Sequence, residues 1–207
     1  MLWNSVSVMR FWEFILSSIF NPSEIVGRVK SLNLTFFELI QALLFISISS
    51  VVVTYLTFWL PNIFFGQTFD ELNLILSLVN NNPFSFVFLQ CSIMIMVSLI
   101  IAFGGQFFKG NGNFVDSLGG VLWINFILII INFFQILLII SISTLADILA
   151  LMATFWSIWA LAVFSKELHG FQSLAITSLV GLLIFSVVVI LMGSLLTSFG
   201  FIAIEGI

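Results

Sequence analysis

The chemistry open to this chain rests on nine acids, five basic side chains, one histidine and one cysteine. Five of the acids share a spacing. Glu24, Glu38, Glu71, Asp116 and Asp147 each stand three residues after a side chain able to accept a hydrogen bond: Asn21, Thr35, Thr68, Asn113 and Thr144. This is the interval of a capping box, in which the first side chain accepts a free backbone N–H and the acid reaches back. Pro22, between Asn21 and Glu24, suits a first helical position. A carboxylate at a helix start complements the dipole, and uncapped amides cost more in lipid than in water. These acids are expected to be structural, leaving Glu38 and Asp147, nearest the hydrocarbon, as the proton- or ion-relay candidates.

His169 sits in Lys166-Glu167-Leu168-His169-Gly170, where basic residues in a last turn and a following glycine make a C-terminal cap. A metal site would need partners, and no second His or Cys lies nearby. Cys91 is the only cysteine and lies in an apolar run, which suits a small buried thiol and allows no disulfide within the chain. Gly105 to Gly110 has the outer spacing of a phosphate-binding loop, but Asn111 stands where the lysine belongs and no strand precedes it. Asn33-Leu34-Thr35 matches a glycosylation sequon but falls on the expected cytoplasmic side. With no paired intramembrane acids either, the expectation is a non-enzyme without metal or cofactor.

Polar residues also form stripes within apolar runs. Ser47, Ser50, Thr54 and Thr57 share one helical face; Asn125, Asn132 and Gln135 share another. Small residues, Ala150, Ala153, Ala160 and Ala162, then Gly181 and Gly193, punctuate later runs. Such residues let membrane helices approach and bond, at roughly 0.6–2 kcal/mol per polar contact. The three amides of Asn125, Asn132 and Gln135 exceed what packing requires and are the main argument for a lined solute pathway.

The elements that must position these groups are membrane helices. Hydrophobic residues make up 61% of the chain and charged residues 7%, too few charges to cover a water-soluble fold. The net charge of −4 and the lack of a Lys/Arg cluster exclude a nucleic-acid footprint. A span needs roughly 20 apolar residues. Five segments qualify: about residues 42–60, ending at Pro61, 84–103, 121–142, 148–164 and 174–196. Unbroken runs exclude a β-barrel. The expected fold is all-α, a polytopic bundle of about five transmembrane helices forming a single integral membrane domain over residues 1–207, preceded by an N-terminal interfacial amphipathic helix at about 6–31. There Ser7, Arg10, Glu13 and Ser17 mark a narrow polar face, with Trp3 and Trp12 on the apolar remainder. Residues 72–79 are too short to cross and read as a surface helix. No signal peptide is evident, since Glu13 interrupts the first apolar stretch.

Arg10, Arg28 and Lys30 precede the first span, Lys109 lies between the second and third, and Lys166 follows the fourth. With five spans all lie on one side, so the positive-inside rule places the N-terminus in the cytoplasm and the C-terminus outside. Exposed turns carrying basic residues at head-group depth attract anionic lipid. Lys109, Lys166 and His169 are therefore the expected lipid or partner contacts.

Two stretches resemble the bacterial branch of the Yip family, the Ypt/Rab-interacting membrane proteins. One is Gly104-Gly105-Gln106-Phe107-Phe108-Lys109-Gly110-Asn111-Gly112-Asn113-Phe114; the other is the Trp156–Trp159 helix leading into Ser165-Lys166-Glu167-Leu168-His169-Gly170-Phe171-Gln172-Ser173-Leu174-Ala175. Asn21-Pro22 also fits. The resemblance implies five spans, a cytoplasmic N-terminus, an external C-terminus and a bacterial inner membrane. Eukaryotic relatives bind Rab-type GTPases; their long cytoplasmic N-terminal region with its Asp-Leu-Tyr-Gly-Pro-like motif has no counterpart here, and the resemblance leaves GTPase binding open. The expected function is a non-enzymatic membrane protein that organises or binds lipid, protein or homo-oligomer partners. The alternative is a small-solute transporter or channel subunit.

Overall fold

A backbone in hydrocarbon must satisfy its own polar groups, and a long apolar run does so as a helix. In the computed structural model, which describes residues 5–65, 82–178, 181–182 and 186, every regular element is a helix. These are α1 (Ser5–Phe20), α2 (Glu24–Leu32), α3 (Phe36–Phe65), α4 (Pro83–Phe107), α5 (Phe114–Ser141) and α6 (Ser143–His169). Among the described residues four helical segments are long and apolar enough to cross a membrane: Phe36–Thr57, Pro83–Phe107, Phe114–Ser141 and Ser143–His169. Of the fifth expected span, residues 174–178 are helical and most of the remainder lies outside the described residues, as does the expected surface helix at 72–79.

The helices are longer than the apolar runs. Hydropathy marks the thickness of the hydrocarbon, whereas a helix runs on until its backbone is capped. Asn82 Oδ1 accepts from Ser85 N–H at the start of α4, Asn113 Oδ1 accepts from Asp116 N–H at the start of α5, and Gly170, at φ 71°, ends α6. α3 also continues through Pro61 to Phe65, so the proline does not end the helix where the apolar run stops.

The N-terminal helix is two helices. Pro22 lacks an N–H and fits the turn, where Glu24 N–H donates to Asn21 O at 3.0 Å and Ile25 N–H to Pro22 O at 3.1 Å. α1 turns Ile15 and Ser18 inward and leaves Trp12, Leu16 and Phe20 exposed. α2 buries Ile25 and Val29, one turn apart, against α5 and α6. This segment is therefore docked onto the bundle by its buried face.

α5 is the central helix. On one side Leu118, Val121 and Leu122 pack with Leu39, Leu43 and Ile46 of α3 and Met94 of α4. On the other, Ile124 packs with Ile25 and Val29 of α2 and with Ala160, Phe164 and Leu168 of α6. Two adjacent glycines allow this approach. A Cβ at Gly119 would stand 2.7 Å from Val29 Cγ1, and one at Gly120 would collide with the Phe164 ring, 1.9 Å from Cζ. In lipid, such close packing replaces the hydrophobic drive that water would supply.

Of the hydroxyl stripe of α3, Ser47 packs between helices. Ser47 is fully buried, donates to Met94 Sδ at 3.9 Å and accepts from Cys91 Sγ at 3.1 Å. Thr57 bonds back to Val53 O at 2.9 Å.

Candidate functional site

α4 ends in a tight turn. Phe108 N–H donates to Gly105 O at 3.1 Å, Lys109 N–H to Gln106 O at 2.9 Å and Gly110 N–H to Gly105 O at 2.9 Å. The left-handed position that closes such a turn belongs to glycine on steric grounds, yet Lys109 occupies it, at φ 63°. For a side chain with a Cβ this costs roughly 1–2 kcal/mol. α6 ends in the same manner but with Gly170 at that position, and Phe171 N–H donates back to Lys166 O at 3.0 Å.

His169 joins the two turns. Only 3% exposed, it accepts at Nδ1 from Gly112 N–H at 3.1 Å and donates from Nε2 to Ile101 O at 2.9 Å. A carbonyl can only accept, so the ring is the neutral Nε2–H tautomer with both nitrogens satisfied. Three glycines make room for it. A Cβ at Gly105 would lie 2.1 Å from the ring, one at Gly110 2.4 Å and one at Gly112 2.5 Å. Gln106 Nε2 ties the loop from the other side by donating to Gly112 O at 2.9 Å. The imidazole thus acts as a clasp between α4, the following loop and the end of α6.

The lysines remain outside this clasp. Lys109 is exposed. Lys166, half-buried, stands 3.1 Å from its exposed neighbour Glu167. Lys30, at the end of α2, reaches Asp116 Oδ2 at 3.7 Å. Four of the chain's basic residues, Arg28 included, therefore gather at one end of the bundle. Arg28 lies over the Phe14 ring, 4.5 Å from its centroid, and pairs with Glu24. α1 is fixed nearby: Trp123 Nε1 donates to Ser18 Oγ at 3.2 Å and Trp156 Nε1 to Ile19 O at 2.9 Å.

Of the expected capping pairs, Thr35 and Glu38 form the full reciprocal box. Glu38 Oε2 accepts from Thr35 N–H at 2.7 Å and from its hydroxyl at 2.8 Å, while Thr35 Oγ1 accepts from Glu38 N–H at 3.3 Å. Asn113 and Asp116 pair as well, with Asn113 Nδ2 donating to Asp116 Oδ2 at 3.1 Å. Two pairs do not. Glu24 turns to Arg28 because Ser23, not Asn21, precedes the helix, and Asn21 contributes its backbone carbonyl instead. Thr144 lies inside α6, since Ile142 alone separates α5 from α6; the first-turn N–H of Ala146 bonds to Ile142 O at 3.3 Å and leaves Asp147 exposed without a capping role. Thr68 and Glu71 lie outside the described residues.

Asn125, Asn132 and Gln135 are half-buried on α5. Asn125 Nδ2 donates to Val121 O of its own helix at 2.8 Å. The three do not line the groove walled by α4, α6 and the segment 171–182 that follows α6, a cavity of about 560 Å³ bounded by Val97, Ile101, Phe108, Ile158, Leu161 and Ile176 among others, with Ser165, Gln172 and Ser173 as polar neighbours. Among the described residues no three His, Cys, Asp or Glu side chains gather where a metal ion could be held.

Sequence reasoning placed His169 correctly at a helix end but assigned it to the surface. It missed the role of Gly105, Gly110 and Gly112, whose clustering was the available signal.

A family model described as the Yip1 domain matches residues 16–195. No curated protein matches the chain, and no solved structure does.

Proposed function

The chain belongs to the Yip1 domain family and is an integral membrane protein, and from this premise we propose that it is a non-enzymatic docking protein whose binding surface is the clasped pair of turns at 104–116 and 166–171. The observation that carries this reading is the burial of His169 between them. Two loops joined through a satisfied imidazole form one rigid surface. Function tends to lie on loops that a rigid scaffold positions, and Lys109 held in a strained conformation at its edge fits a backbone shaped for presentation rather than stability.

Lys109 and Lys166 supply the contacts and His169 holds the platform beneath them. The clustering of Arg28, Lys30, Lys109 and Lys166 at one end supports a cytoplasmic orientation for that end by the positive-inside rule. It follows that α1 and α2 lie on the cytoplasmic face. The resemblance of both turns to bacterial members supports a place in a bacterial inner membrane. The surface serves membrane lipids, a membrane-protein partner or a second copy of the chain.

A photoreactive amino acid installed singly at Lys109, Lys166 or, at the opposite end, Ser143 tests the reading in native membranes. The expected result is lipid or protein adducts from the first two positions in excess of the third. Equal labelling at all three, in folded protein, would remove the docking role of the turns.

A further inference from the structure

His169 is the chain's only histidine, and its two ring nitrogens hold opposite roles. Nε2 donates to Ile101 O at 2.9 Å, while Nδ1 accepts from Gly112 N–H at 3.1 Å. Only the neutral ring can make both bonds, because a histidinium has two donors and no acceptor. A proton added at Nδ1 would set one N–H against another. The buried Gly112 amide would lose its acceptor, and the ring would gain a donor with nothing to receive it, the costly arrangement for polar groups out of water.

The surroundings offer the charged ring no relief. Gly105, Gly110 and Gly112 press so close that a Cβ at each would lie 2.1, 2.4 and 2.5 Å from it, and Phe171 stacks on it with centroids 5.4 Å apart. α4 and the segment 170–178 carry no charged residue, and the loop 108–113 carries only Lys109. At the start of α5, Asp116 is held by Asn113 and Lys30. On α6 itself, Glu167 pairs with Lys166. α2, packed against the adjacent Leu168, brings Lys30 and the Arg28–Glu24 pair. Among the described residues no carboxylate lies within ion-pair distance of the imidazole, whereas Lys109 and Lys166 on the two turns would oppose its charge.

Resting on the docking reading above, we propose that His169 is a pH-operated latch: neutral, it holds the loop 108–113 to the ends of α4 and α6 as one platform, and on taking a proton from water it releases Gly112, so that docking weakens in acid. Gln106, which donates to Gly112 O at 2.9 Å, keeps the loop tethered, and the release is local. The sign follows from proton counts. The open state binds one proton more than the clasped state, so closure is fully favoured above the ordinary histidine range and weakens as the pH falls through it. With a free imidazole titrating near 6.5, the opening constant rises about thirtyfold between about pH 7.5 and pH 5.

The test uses the full chain in lipid nanodiscs with isotope-labelled histidine, whose single ring gives one assignable pair of nitrogen signals. At about pH 7.5 these should show the proton on Nε2 and a bare Nδ1. Hydrogen exchange of the Gly112 amide, taken relative to an unstructured peptide at the same pH, should lose protection about thirtyfold on passing to about pH 5. His169→Asn puts an oxygen near the Nδ1 position that accepts but does not titrate, and its protection should not change with pH. Should that variant fail to fold, the wild-type measurements alone decide. The other tautomer at neutral pH, protection unchanged in acid, or an equal loss in folded His169→Asn protein would overturn the latch. Photocrosslinking from Lys109 at both pH values separates it from the docking reading. Adducts that fall in acid support both, and adducts that persist while Gly112 loses protection would overturn the proposed control of docking. A working latch with no excess adducts at either pH would refute the docking reading alone.

Discussion

Replacing Gly105 by alanine sets two opposed effects against each other. Within a helix the change ordinarily stabilises by roughly 0.5–1 kcal/mol, since glycine has more backbone freedom to lose. Here the new methyl would stand 2.1 Å from both Cε1 and Nε2 of His169 and 2.4 Å from Cδ2. The ring cannot simply swing aside, because it is buried and held at both nitrogens. Forcing it over costs about 1–3 kcal/mol in overpacking, and stranding the Gly112 N–H costs about 1–3 kcal/mol more. Clash outweighs propensity, for a net destabilisation of roughly 3 kcal/mol. The measurement is equilibrium unfolding in mixed micelles, followed by tryptophan fluorescence, on wild type, Gly105→Ala, His169→Ala and the double variant. Removing the imidazole removes the obstacle, so the double variant should be more stable than the sum of the singles by roughly 2 kcal/mol, within the coupling range of touching residues. A Gly105→Ala protein as stable as wild type, or additive singles, would refute the clasp geometry.

Thr35→Ala removes the hydroxyl that accepts Glu38 N–H and should lower stability by about 0.5–2 kcal/mol in the same unfolding measurement; Glu38→Gln keeps an acceptor oxygen and should lose less. Lys109→Gly relieves the left-handed strain and should raise stability by about 1 kcal/mol, while photocrosslinking yields from Lys166 fall as the neighbouring cation is lost. Reporter fusions after Lys109 and after Lys166 should score cytoplasmic and one at Ile142 external; the reverse pattern would invert the proposed orientation.

What the sequence determined by itself is what depends on residues close along the chain. Charge scarcity and apolar runs specify membrane helices because the bilayer demands internal hydrogen bonding over a known thickness. The Thr35–Glu38 and Asn113–Asp116 caps and the Gly170 stop were legible because a helix terminus is completed within one turn. Where legibility failed, a neighbour had changed the frame. Thr144–Asp147 kept the spacing of a cap but lies inside α6, because α5 and α6 are joined through Ile142 alone. The site itself was decided only by tertiary structure. His169 and Gly112 lie far apart along the chain, and no local pattern states that three glycines surround one imidazole or that Trp123 and Trp156 anchor α1. In those contacts the determining quantity is the space left between helices once α5 has gathered α2, α3, α4 and α6 around it, and that space exists only after the helices have packed.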